Sequence, residues 1–183
     1  GRRMRVLRRR HREVVDIIAL SHDPQTHLRV LASSAPTAYC LPGREARVIV
    51  SRGVIDAMSP RSFEAVLAHE MAHLRGRHDL LIEFFSILHE TVPGPLRCAA
   101  AMHEVRLLVE ALADRSSVSR VGPKATERAL RALSGSRAPE AALAAGVAVT
   151  PARIALLAHA KPHPMLSSLM YAYAAALLIL PLA

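Results

Sequence analysis

Two histidines four residues apart, with a glutamate directly after the first, lie inside an apolar run: Ala65-Val66-Leu67-Ala68-His69-Glu70-Met71-Ala72-His73-Leu74. That spacing constrains the fold more than any other feature of the chain. In a helix, residues four apart share a face, so a helical segment aims both imidazoles the same way. Ser59 as N-cap and Pro60 at the first helical position supply a start, and the helix is expected from Phe63 to about Arg77. Imidazoles so placed can grip one Zn²⁺, and Glu70, next to the first of them, can act as general base on a water held there. Composition alone would produce this pattern in roughly one such chain in thirty. The alternative is a pair of histidines on an amphipathic helix with a surface glutamate. Val66, Leu67 and Leu74, which give the helix an apolar face, argue against it.

A catalytic zinc needs a third protein ligand and an open position. The metzincin pattern is not completed, because Asp79 stands where its third histidine would. The candidate is Glu110 in Val109-Glu110-Ala111-Leu112-Ala113-Asp114, on a long helix expected from Leu96 to Ser117. Glu110 and Asp114 share a face. An acidic pair on a solvated face is the alternative, but two carboxylates among Leu107, Leu108, Val109, Leu112 and Ala113 call for a cation. One can bind zinc while the other accepts the Nδ1–H of a ligand histidine and so sets its tautomer. His78 could line the site or pair with Asp79. Arg115 could stabilise an oxyanion or simply form a salt bridge with its neighbours. His89 and His103 lack a partner at ligand spacing and are read as surface or packing residues.

The rest of the chain punctuates itself. A helix is expected from Arg5 to Leu20, ended by Ser21-His22-Asp23-Pro24, followed by short strands at Leu28–Leu31, Thr37–Leu41 and Arg47–Ser51. Further helices are expected at Leu80–Glu90, Lys124–Leu133 and Pro151–Ala160, with Pro93-Gly94-Pro95 and Val121-Gly122-Pro123 as breaks. The Ala-rich stretch Ser134–Gly146 is read as loop plus a short helix.

At 183 residues the chain suits one domain with its own core. Its apolar fraction of 51% excludes a disordered polyelectrolyte. Its two cysteines, Cys40 and Cys98, exclude a disulfide framework and are read as buried thiols in a reducing compartment. The net charge of +9 could attract nucleic acid, but 3% aromatics offer no stacking platform, so no nucleic-acid partner is expected. The charge is also segregated. Seven arginines fall in the first twelve residues, while Met165–Ala183 carry no charge. As a helix that tail is long enough to cross about 30 Å of hydrocarbon. The expected organisation is therefore a basic juxtamembrane segment at 1–12, a domain at 13–163 and a transmembrane helix at 164–183. The positive-inside rule places the domain at the cytoplasmic face of the cell membrane. A buried C-terminal helix and a solvated or nucleic-acid-binding arginine arm are the alternatives. The opening Gly and the lack of a secretory signal suggest a piece of a longer protein with further spans upstream.

The run from Ala65 through His73 to Asp79, followed by Glu110-xx-Ala113-Asp114, resembles the membrane-embedded gluzincin peptidases. It is similar to the BlaR/MecR antirepressor peptidases and to their relatives, the HtpX heat-shock and CAAX prenyl proteases. Ala38–Gly43 and Val48–Gly53 look like the β-hairpin that precedes the zinc helix in both groups. The resemblance implies that His69, His73 and Glu110 hold Zn²⁺, that Glu70 is the base and that Asp114 supports a ligand from behind. It also implies a mainly α (α+β), zincin-like domain with a small antiparallel sheet beside the zinc helix. The strand at Ala38, Tyr39 and Cys40 is placed to pair with an extended substrate. The expected activity is that of a membrane-associated zinc endopeptidase with a regulatory role, cleaving a repressor or signalling protein. An HtpX-like quality-control protease and a catalytically silent zinc-bearing membrane sensor are the other readings.

Overall fold

The computed structural model describes residues 2–23, 27–91, 93, 99–134 and 150–159. A long basic helix, α1 (Arg2–Ile18), runs directly into strand β1 (Ala19–Asp23). Three further strands follow: β2 (Leu28–Leu31), β3 (Ala38–Leu41) and β4 (Arg47–Ser51). Six helices complete the order: α2 (Arg52–Ala57), α3 (Pro60–Arg75), α4 (His78–Thr91), α5 (Ala99–Val121), α6 (Pro123–Ala132) and α7 (Thr150–His159). The three expected strands stand within a residue of their expected positions. Strand β1 was not expected, because Ala-Leu-Ser-His-Asp has no alternation to announce it. It is held by antiparallel backbone pairing to β2, with a bulge between Ala19 and Ser21.

The sheet is mixed rather than antiparallel. Its order is β1-β2-β4-β3, with β2 and β4 parallel and the outer pairs antiparallel. The reason lies in β4, whose Val48, Ile49 and Val50 are all buried, the mark of a central strand covered on both faces. The chain therefore carries β3 past the β4 position to the far edge, and β4 fills the gap. The crossing segment is packed against the start of α2. Gly53 donates its N–H to Ser33 O at 3.0 Å. A Cβ on Gly53 would lie 2.0 Å from Ser34 O, so only glycine fits there. Ser51 closes the same corner. Its Oγ accepts from Val54 N at 3.2 Å, as N-cap of α2, and from Thr37 N at 2.9 Å.

Two apolar clusters flank the site. Val15, Tyr39, Leu41 and Ile49, joined by Leu7 and Leu31, fasten α1 to the sheet. Ala65, Val66, Val121, Ala125 and Ala129 pack α3 against the end of α5 and against α6. The arginine-rich segment belongs to the same helix as Val15 and makes specific contacts. Arg12 donates to Pro42 O at 3.3 Å, and His11 Nε2 lies 2.8 Å from the Tyr39 hydroxyl. Arg8 reaches Asp79 Oδ2 at 3.5 Å.

Among the described residues, no helix is long and apolar enough to cross a membrane. The transmembrane helix expected at 164–183, the Ala-rich stretch and Cys98 lie outside the described residues.

Candidate metal centre

The α3 helix forms where the sequence starts it. Ser59 Oγ accepts from Ser62 N at 3.3 Å and Pro60 opens the first turn. Its register against α5 is set by a buried side-chain contact. Ser117 Oγ donates to Ala65 O at 2.9 Å and shares a hydrogen bond of 3.1 Å with Thr126 Oγ1. From that anchor, one turn forward on α3 reaches His69 and one turn back on α5 reaches Asp114. A second turn on each brings His73 and Glu110 together. Antiparallel helices pinned at one level thus meet residue for residue at the next two.

The ligand atoms converge. His69 Nε2 and His73 Nε2 are 3.0 Å apart. Glu110 Oε2 lies 3.3 Å from His69 Nε2, and Glu110 Oε1 lies 3.4 Å from His73 Nε2. With metal–ligand bonds of about 2.0–2.1 Å, the edge of a tetrahedron is about 3.4 Å. The three atoms therefore stand at separations one ion can span, and all lie within 4.8 Å of one another. The donor set, two imidazoles and a carboxylate, suits a borderline-soft divalent cation. Glu70 is buried, yet its Oε2 has no hydrogen-bond partner. An orphaned buried carboxylate oxygen is costly, and a water carried into the site would satisfy it. The residues fit a metal.

Behind the ligands lies a cage of charge. His69 Nδ1 is 2.9 Å from Asp114 Oδ1, somewhat off the line of an ideal N–H···O bond. Arg153, on α7, grips Asp114 with both edges of its guanidinium, Nε to Oδ2 at 2.8 Å and Nη2 to Oδ1 at 2.6 Å. Its Nη1 reaches Glu110 Oε2 at 3.0 Å. Burial alone would raise the carboxyls, but the Arg153 bonds and then His69 hold Asp114 down to about 2. Burial also opposes charge on His69, yet its bonds to Asp114 and Glu110 push its pKa up. Burial, followed by the neighbouring positive charge of His69, pushes His73 down. The Glu70 carboxyl is pushed up, first by burial and then by the like charge of Glu110, against the pull of His69.

Of the residues singled out from sequence, His69, Glu70, His73, Glu110 and Asp114 come together. His78 sits against the side of His73 that faces away from Glu110, its Nδ1 2.9 Å from His73 Nδ1. Arg115 does not reach the site. It is exposed, one position beyond Asp114 and hence about 100° round the helix. The guanidinium at the centre is Arg153, which sequence reasoning missed among 22 arginines. One signal was available: it is the only charged side chain in the otherwise apolar helix Thr150-Pro-Ala-Arg-Ile-Ala-Leu-Leu-Ala-His159. Such a lone cation needs a carboxylate. On β3, Tyr39 and Cys40 are buried and Ala38 is half-buried. Burial, and then the negative charge of Glu70, pushes the Cys40 thiol well up.

A helix presenting two imidazoles with a buried carboxylate between them, met by a second carboxylate from another helix, is the arrangement of a metallopeptidase centre. The chain belongs to peptidase family M48, whose family model matches residues 2–168. It is similar to Protease HtpX homolog 2 of Methanosarcina mazei, 31% identical over 81 residues that cover 43% of this chain and 27% of that protein. The corresponding protein of Methanosarcina acetivorans is 28% identical over 81 residues, with the same coverage. The chain thus spans about a quarter of the length of these curated relatives. No solved structure matches it. Of the two groups its motifs resemble, the comparisons name the HtpX-like one.

Proposed function

We propose that this chain is the catalytic part of a zinc endopeptidase acting on protein or peptide substrates. The observation that carries the reading is the convergence of His69, His73 and Glu110 beside a buried Glu70 with an unpartnered oxygen. Zinc, when bound there, supplies Lewis-acid polarisation of a carbonyl and acidifies a water. Glu70 takes the proton of the attacking water and passes it to the leaving amine nitrogen, a task its buried, unpartnered oxygen beside the ligands is placed for. Asp114 orients His69 through Nδ1, while Arg153 ties Asp114 and Glu110 together. Among the described residues strand β3 is an edge of the sheet, the position at which an extended substrate would add a strand.

The seven N-terminal arginines and the uncharged tail support a domain held at the cytoplasmic face of a membrane. A regulatory role, with a repressor or signalling protein as substrate, follows from the resemblance to the BlaR/MecR group. A quality-control role is favoured instead by the HtpX names of the relatives.

The test is Glu70→Gln. The variant is expected to bind zinc like the parent and to lose cleavage of an unfolded protein such as casein by at least about 10²-fold. Retained proteolysis would remove Glu70 from the chemistry and the proposal with it.

A further inference from the structure

We propose that His78 is a positioning residue that fixes the tautomer and ring angle of His73, and that Gly76 is small so that His78 can do so. The proposal builds on His69, His73 and Glu110 as the metal ligands.

His73 turns Nε2 toward His69 and Glu110. To bind a cation, that nitrogen must present its lone pair, so the ring proton belongs on Nδ1. The Nδ1 position is completely buried with the rest of the ring, and its partner is His78 Nδ1 at 2.9 Å. His78 therefore accepts there and carries its own proton on Nε2. The two rings meet edge to face, with centroids 4.9 Å apart and planes at 87°. Whereas Asp114 supports His69, a neutral imidazole takes the corresponding place behind His73.

The backbone is shaped for this contact. Helix α3 ends at Gly76, whose N–H bonds to Ala72 O at 2.8 Å. Arg77 then adopts φ +50°, a left-handed conformation that is unfavourable for a non-glycine residue. That reversal returns His78 beneath the last turn of α3. A Cβ on Gly76 would stand 2.5 Å from His78 Nε2 and 2.7 Å from its Cδ2. Gly76 itself has φ −75° and ψ −3°, which alanine adopts freely. The missing side chain at position 76 therefore serves the space that His78 occupies, not the backbone conformation.

Zinc affinity of the purified chain, measured by competition with a chromophoric chelator, tests the assignment. His78→Ala is expected to weaken zinc binding about 10- to 100-fold, the usual cost of losing such a supporting partner. His78→Asn puts an amide oxygen where Nδ1 stood and should bind within about threefold of the parent. Gly76→Ala should weaken zinc as His78→Ala does, and should add no further loss in the His78→Ala background. Unchanged affinity in His78→Ala would overturn the proposal, as would a Gly76→Ala effect equally large with and without His78. If His78→Ala fails to fold by circular dichroism, the ranking of His78→Asn above Gly76→Ala decides, and the reverse ranking overturns it. His73→Ala separates the two levels of the argument. If it binds zinc as tightly as the parent, the metal site itself is wrongly assigned. If it loses zinc while His78→Ala does not, only the role of His78 falls.

Discussion

Two aspartates in this protein each stand between two cations, and they differ in almost every other respect. Asp114 is 2% exposed and held between Arg153 and His69 in the centre of the molecule. Asp16, whose side chain is 36% exposed, joins Arg29 at 2.7 Å and Arg47 at 3.2 Å where α1 lies on the sheet. Bonds to Arg47, then Arg29, lower the Asp16 carboxyl against a small burial penalty. The chemistry is the same; the solvent is not. Around Asp16, although Arg29 beside it is buried, water reaches the carboxylate and can replace a lost bond. Around Asp114 it cannot, so each buried charge there depends on the others. This is why the site can hold several carboxylates, and why it is brittle.

The largest expected effect comes from breaking the buried set. Arg153→Met leaves Asp114 and Glu110 without their cation and should cost the metal-free protein about 3–5 kcal/mol, read as a fall in the urea midpoint. The pH dependence has a definite sign. Asp114 has a depressed folded pKa, so its contribution is complete above its usual value of 3.8 and fades as pH falls through about 2. Arg153→Met should lift that carboxyl and move acid unfolding to higher pH. An unchanged urea midpoint and acid limb would show that Arg153 is a spectator.

A smaller effect is expected from Ser117→Ala, which removes the contact that sets α5 against α3. It should cost about 1 kcal/mol in thermal or urea unfolding. It should also loosen zinc binding, because the level of Glu110 and Asp114 depends on that anchor. Loss of stability with zinc affinity intact would mean that packing of Ala65, Val66 and Val121 sets the register without it.

The smallest belongs to the part-exposed Asp16 carboxylate. Asp16→Asn should cost less than about 1 kcal/mol, and the difference should shrink further at high salt. A loss as large as that of Arg153→Met would erase the contrast between the two aspartates.

The local events were legible because they are local. The Ser59-Pro60 start, the Gly122-Pro123 break and the strands at Leu28–Leu31 and Arg47–Ser51 follow from capping, fixed proline geometry and β-branched runs. The pairing of His69 with His73, and of Glu110 with Asp114, follows from helical periodicity. What failed was non-local. The parallel pairing of β2 with β4 depends on where β3 is carried. The backbone of β1 is specified by its partner rather than by its side chains. Arg115 was singled out and Arg153 was not, because adjacency in sequence stands in poorly for adjacency in space.

The sequence by itself thus determined which side chains share a face and what chemistry they can perform, since a 3.6-residue repeat is an intrinsic property of the chain. Only the tertiary structure decided which faces meet. Ser117 against Ala65 sets the level at which two carboxylates reach two imidazoles. Arg153 arrives from a helix far along the chain. A left-handed turn at Arg77 brings His78 up behind His73. Those choices rest on packing, burial and charge balance between segments, which no periodicity within one segment encodes.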